Sequence, residues 1–146
     1  MTCNEVMTPA PVTCRPEDAI VDAARLMRSY DVGSLPVVKD DESQMLIGVI
    51  TDRDIAIRVV GEGRNPADAK VADAMSTEVV SCTTTDLYQE ALQTMGAHQL
   101  RRMPVVDAQR RVVGIIAQAD VATRIAQPTT TGALVEAISK NDVAPL

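Results

Sequence analysis

Thr51 and Asp54 stand where residue type and spacing invite chemistry. In "GVITDRDI" (residues 48–55) an apolar run ends in Thr51-Asp52-Arg53-Asp54, and a second run begins at Ile55. The pattern predicts a strand turning into a helix, with a hydroxyl and a carboxylate at the junction. A helix N-terminus offers unpaired N–H groups and a partial positive charge, so it favours an anion. A carboxylate can accept both hydrogens of a vicinal diol. Thr and Asp are also favoured helix caps, and spacing alone does not separate capping from binding. Near the other end the stretch returns as "GIIAQADV" (residues 114–121), where Asp120 matches Asp54 but Ala117 replaces Thr51.

That return is part of a longer repeat. Met7, Val12, Cys14, Asp18, Ala23, Met27 and Pro36 align with Met75, Val80, Cys82, Asp86, Ala91, Met95 and Pro104. After a slightly longer loop in the first copy, Gly48, Ile50, Asp54, Ala56 and Arg58 align with Gly114, Ile116, Asp120, Ala122 and Arg124. Ile20, Ala23, Ala24 and Met27 have the spacing of one buried helical face, as do Tyr88, Ala91, Leu92 and Met95. "LPVV" (35–38) and "MPVV" (103–106) read as short buried strands, each opened by a proline. "MLIGVIT" (45–51) and "RVVGIIA" (111–117) read as second strands, with Gly48 and Gly114 marking close backbone approach. Helices are expected at about 52–60 and 118–126. The fold class is therefore α/β, two tandem β-α-β-β-α repeats packed as a pseudo-symmetric pair. Residues 6–60 form the first repeat, 61–70 a polar linker, 71–126 the second repeat, and 127–146 a tail with a weak helix near 132–139.

Composition narrows the functions available. Hydrophobic residues make up 46% of the chain, so a packed interior is expected. Tyr30 and Tyr88 are its only aromatic residues, which removes base-stacking platforms. A net charge of −6 argues against a broad phosphate-backbone surface, though a few arginines can still hold a small anion. No apolar run approaches the roughly 20 residues of a membrane span, and the first residues lack the pattern of a secretory leader. Cys3, Cys14 and Cys82 include no CxxC pair, so the expectation is buried thiols in a cytoplasmic protein rather than a disulfide framework or zinc knuckle.

With "GVITDRDI", "LPVV", "HQLRRMPVVD" and a repeat of about 60 residues in view, the chain resembles the CBS domain, named after cystathionine β-synthase. Two in tandem resemble a Bateman module, and the likeness covers residues 6–126. The resemblance implies a regulatory sensor binding an adenosine-type ligand (AMP, ADP, ATP or S-adenosylmethionine) in a cleft between the repeats. It implies that the Asp of the T/S-x-x-D motif binds ribose and the Thr reaches phosphate, each site drawing on both repeats. One site then joins Thr51 and Asp54 to Arg101 and Arg102, with Val79 and Val80 near the base. A second, weaker site joins Asp120 to Gly33 and Ser34, with Pro11 and Val12 near the base. The family also implies a homodimer, for which Ile55, Ile57, Val59 and Val60 supply surplus apolar surface.

Other candidates are plainer. His98 stands alone and reads as a surface or helix-end residue. Cys14 and Cys82 occupy equivalent positions and could face each other across the pseudo-two-fold axis. The methionines at core spacings read as gap-fillers. Arg53 and Arg58 are either solvated or near phosphate. No nucleophile–base pair, metal cluster or phosphate loop is present, so no enzymatic activity, metal or obligatory cofactor is expected. The sensor would report through an effector protein or through its own dimer, and the rival reading keeps the fold as an oligomerisation or interaction module with no nucleotide. Neither reading expects a nucleic-acid or membrane partner.

Overall fold

The computed structural model describes residues 1–117. In chain order they form α1 (Cys3–Val6), β1 (Thr8–Pro9), α2 (Ile20–Tyr30), β2 (Ser34–Val38), β3 (Leu46–Thr51), α3 (Asp52–Ile55), β4 (Cys82–Thr83), α4 (Tyr88–His98), β5 (Arg102–Val106) and β6 (Val112–Ala117). A π-helical turn, Ala56–Val60, continues α3, and a 3₁₀ turn spans Val71–Asp73. The helices expected at 118–126 and 132–139 lie outside the described residues.

The chain packs as two units that are not the two sequence repeats. The first-repeat unit holds Val12–Val79 and Gln109–Val112. The second-repeat unit holds, among the described residues, Met1–Pro11, Val80–Ala108 and residues 113–117. The segment ahead of each repeat thus joins the other repeat's unit. The end of the stretch expected to be a polar linker is also core, since Ala69 is buried and its carbonyl accepts from Ile20 N at 2.9 Å.

In the first-repeat unit, β2 and β3 pair antiparallel, with Ser34 opposite Thr51 and Leu35 opposite Ile50. A register shift between Val37 and Val38 ends the regular ladder. Cys14 adds a parallel bridge, its N–H donating to Pro36 O at 3.1 Å and its carbonyl accepting from Val38 N at 2.8 Å. Along α2, Ile20, Ala23 and Met27 face the core with Leu35, Ile50 and Val59. The predicted stripe is correct except that Ala24 is only half-buried.

The second-repeat unit carries a four-stranded sheet in the order β1-β6-β5-β4, with β1 antiparallel to β6 and β4 parallel to β5. Tyr88, Ala91, Leu92 and Met95 on α4 are all buried, as their spacing required. The N-terminal segment docks through its backbone: Cys3 N donates to Asp86 O at 2.8 Å, Asn4 N to Thr84 O at 3.1 Å, and Met1 O accepts from Tyr88 N at 3.0 Å.

The prolines do not open their strands. Pro36 and Pro104 stand third in Ser34–Val38 and Arg102–Val106. Pro36 is tolerated there because the Cys14 bridge uses its carbonyl and the N–H of Val38, so its missing N–H costs no bond. Gly48 does mark close approach. Val49 and Ser76 exchange two backbone hydrogen bonds of 2.9 Å, and a Cβ on Gly48 would lie 2.8 Å from Ser76 O. At Gly114 the neighbour is a side chain, because a Cβ there would meet Met7.

Candidate functional site

Thr51 ends β3 and caps α3. Its Oγ1 accepts from Asp54 N at 3.0 Å, while its own N–H donates to Asp54 Oδ2 at 3.0 Å. This reciprocal pair satisfies two backbone donors that a helix start would leave open. The box engages one atom of each side chain and leaves others over. The Thr51 hydroxyl keeps its hydrogen, and among the described residues Asp54 Oδ1 faces Arg58 Nε, at 3.9 Å. Arg58 Nη1 donates to the carbonyls of Ala74 (3.2 Å) and Met75 (3.5 Å), so its guanidinium is anchored and its charge is held close to Asp54. The Asp54 side chain is only 17% exposed. One acceptor and one donor therefore stand free of the cap at the strand–helix junction.

The remaining predicted site residues divide between the units. Val12, Gly33, Ser34 and Val79 belong to the first-repeat unit with Thr51 and Asp54. There Ser34 is the register partner of Thr51, and Gly33 O accepts from Asp52 N at 2.9 Å. Pro11, Val80, Arg101 and Arg102 belong to the second-repeat unit. Arg101 is exposed, Arg102 half-buried, and Val80 packs against that unit's core. Asp120 lies outside the described residues. Ala117, in the place of Thr51, is buried at the end of β6 and has no hydroxyl with which to cap or bind.

Two carboxylates that the repeat aligned prove to be paired structural acceptors. Asp18 Oδ2 accepts from Arg15 N and Asp86 Oδ2 from Thr83 N, each at 2.9 Å, fixing the turn that enters α2 and α4. The spacing Arg15-x-x-Asp18 and Thr83-x-x-Asp86 is the signal that would have revealed them. His98 is exposed in the last turn of α4.

All three cysteines are free and buried. Cys14 and Cys82 do hold equivalent places, since their thiols donate to Pro36 O (3.8 Å) and Pro104 O (3.9 Å). Burial, reinforced by the charge of Asp18, pushes the Cys14 thiol up to about 12. The cysteine beside Cys82 is Cys3, and both sit in the core of the second-repeat unit. Among the described residues no group of three or more His, Cys, Asp or Glu side chains could hold a metal ion. Also among the described residues, no helix is long and apolar enough to cross a membrane.

These observations define an α/β protein of two related units, one of which carries a hydroxyl–carboxylate pair at its strand–helix junction. The chain belongs to the CBS domain family, whose model matches residues 3–61 and 71–127. It is 38% identical over 140 residues to the CBS domain-containing protein YhcV of Bacillus subtilis, an alignment covering 96% of each chain. Its fold is similar to that of Hypoxic Response Protein I, solved with two coordinated zinc ions: TM-score 0.77, 32% identity, 86% of this chain and 99% of that one. It is also similar to CBSX2, solved in complex with AMP: TM-score 0.71, 26% identity, 83% and 93% covered.

Proposed function

We propose that this CBS pair is a non-enzymatic, cytoplasmic regulatory sensor, and that Thr51 and Asp54 hold the phosphate and ribose of an adenosine-type nucleotide. The observation that carries the reading is the incomplete use of the pair: capping leaves the Thr51 hydroxyl hydrogen and Asp54 Oδ1 open. A carboxylate oxygen near an anchored arginine is a strong acceptor for a sugar hydroxyl. The AMP complex of CBSX2, a protein of the same fold, supports the ligand class. Arg101 and Arg102 serve the same phosphate, and Val79 and Val80 flank the base. The site on Asp120, with Gly33, Ser34, Pro11 and Val12, is the weaker of the two because Ala117 supplies no hydroxyl.

A second reading has its own observation. Ile57 and Val60 are 49% and 59% exposed on the turn that continues α3, an apolar pair suited to a homodimer contact. If capping is the whole role of Thr51 and Asp54, the module works through such contacts alone. Thermal shift with AMP and with ATP on the wild type, Asp54→Ala and Asp120→Ala separates the two. Sensing requires a response in the wild type that falls roughly ten- to a hundredfold in affinity on losing a charged hydrogen bond at Asp54, with Asp120→Ala changing far less. No response from any of the three leaves the interaction module. Light scattering at micromolar concentration reads the dimer independently.

A further inference from the structure

We propose that Cys3 and Cys82 form a reversible dithiol–disulfide pair that fastens the N-terminal segment to the second-repeat unit. The two residues lie far apart in sequence but in one apolar core, Cys3 fully buried and Cys82 nearly so. Their approach is fixed by backbone. Cys3 N donates to Asp86 O (2.8 Å) and Asn4 N to Thr84 O (3.1 Å), and Thr2 bridges Leu87, so α1 is tied to the residues that follow Cys82 on both sides of its first turn. Each thiol is the group that acts most strongly on the other.

The pair is chemically unequal. The neighbouring Cys82 holds the Cys3 thiol below its ordinary value against the opposing effect of burial. The Cys82 thiol is pushed upward by Cys3 and by burial. Cys3 rides on α1, the segment whose release exposes the pair, so Cys3 is the attacking sulfur and Cys82 the resolving one. With a small disulfide RSSR as oxidant, the Cys3 thiolate attacks one sulfur, forming Cys3–S–SR and releasing RS⁻. Cys82 then loses its proton and attacks the Cys3 sulfur, expelling the second RS⁻. The two protein thiols are oxidised, RSSR is reduced to two RSH, and both protons leave with the products. Since both thiols are buried, oxidation waits on release of α1, a four-residue helix near the chain's start.

The test uses the wild-type chain with oxidised glutathione as probe, followed by alkylation and cleavage with a glutamate-specific protease. Cleavage at Glu5 and Glu17 separates Cys3 from Cys14, and cleavage at Glu78 and Glu90 isolates Cys82. The expected product joins residues 1–5 to residues 79–90, is lost with dithiothreitol, and leaves Cys14 alkylated. Cys14→Ser should form the same link, whereas Cys3→Ser and Cys82→Ser should not. Retention of all three thiols, a link involving residues 6–17, or only intermolecular disulfides would overturn the assignment.

Discussion

Thr51 and Asp54 hold one another through two reciprocal hydrogen bonds of 3.0 Å, backbone to side chain in each direction. The pair is thus structural whatever else it does, and substitutions must separate the two roles. Asp54→Asn keeps a side-chain oxygen for Thr51 N and should leave the melting temperature nearly unchanged. It removes the charge that strengthens a hydrogen bond to a sugar hydroxyl, so nucleotide affinity should fall about tenfold or more. Thr51→Ala removes the cap acceptor and should cost about 1 kcal/mol of stability, whereas Thr51→Ser should restore it. Unchanged AMP affinity in a folded Asp54→Asn chain would confine the pair to capping. Melting curves and calorimetric titration make the comparison.

The helices α2 and α4 each end on a left-handed residue that is not glycine. Asp31 has φ 52° and Gln99 has φ 56°, at equivalent places in the two repeats. The next residues close the caps, Val32 N on Met27 O at 3.0 Å and Leu100 N on Met95 O at 2.9 Å. A left-handed conformation costs an L-residue about 1–2 kcal/mol, while glycine gives back part of that through unfolded-chain entropy, about 0.4–1 kcal/mol. Gln99→Gly should therefore raise stability by up to about 1 kcal/mol. Asp31→Gly should gain less, because Asp tolerates this region better. Urea unfolding of the two variants checks both the sign and the order.

These caps also show why sequence carried the fold only so far. The apolar stripes of α2 and α4 and the strands around Gly48 and Gly114 were legible because burial imposes a period on side chains. The ends of the helices were not, because Asp31 and Gln99 occupy positions where glycine would have been the signal. Nor could local pattern show that Met1–Pro11 packs with the second repeat, since that depends on where Cys3 N and Asn4 N find acceptors, some 80 residues away in sequence. At the candidate site, the spacing of Thr51 and Asp54 allowed capping or binding. The structure resolves the capping bonds, and only the atoms they leave unused keep binding open.

The Cys14 thiol gives a pH dependence with a definite sign. Burial raises its pKa in the fold to about 12, above its unfolded value near 9. A folded value above the unfolded one means the protonated thiol is favoured in the native state. Its contribution is complete below the unfolded value and is lost as pH rises from there through about 12. Native Cys14 should resist iodoacetamide at pH 8–9 and react at the ordinary thiol rate once urea unfolds the chain. Native labelling as fast as in urea would show the thiol to be accessible and ionised. Replacing Cys14 by alanine should also flatten the fall of the urea midpoint between roughly pH 9 and 11.

Gly48 and Gly114 hold equivalent positions under different constraints, and double substitutions can tell them apart. A Cβ on Gly114 would overlap the Met7 side chain, with Met7 Cγ at 2.7 Å, and the three nearest atoms all belong to that one residue. A Cβ on Gly48 would meet Met75 Cε at 2.9 Å but also Ser76 O at 2.8 Å, a backbone atom held in the bridge with Val49. Each single change to alanine should cost about 1–3 kcal/mol by overpacking. Adding Met7→Ala to Gly114→Ala removes the two nearest atoms and leaves only the Met7 Cβ at 3.0 Å, so the pair should be more stable than the sum of the two single effects. Adding Met75→Ala to Gly48→Ala leaves the Ser76 carbonyl in place and should recover much less. Equal recovery in the two double mutants would mean that the Ser76 carbonyl gives way as readily as a methionine side chain, and that the bridge to Val49 is not what requires glycine at position 48.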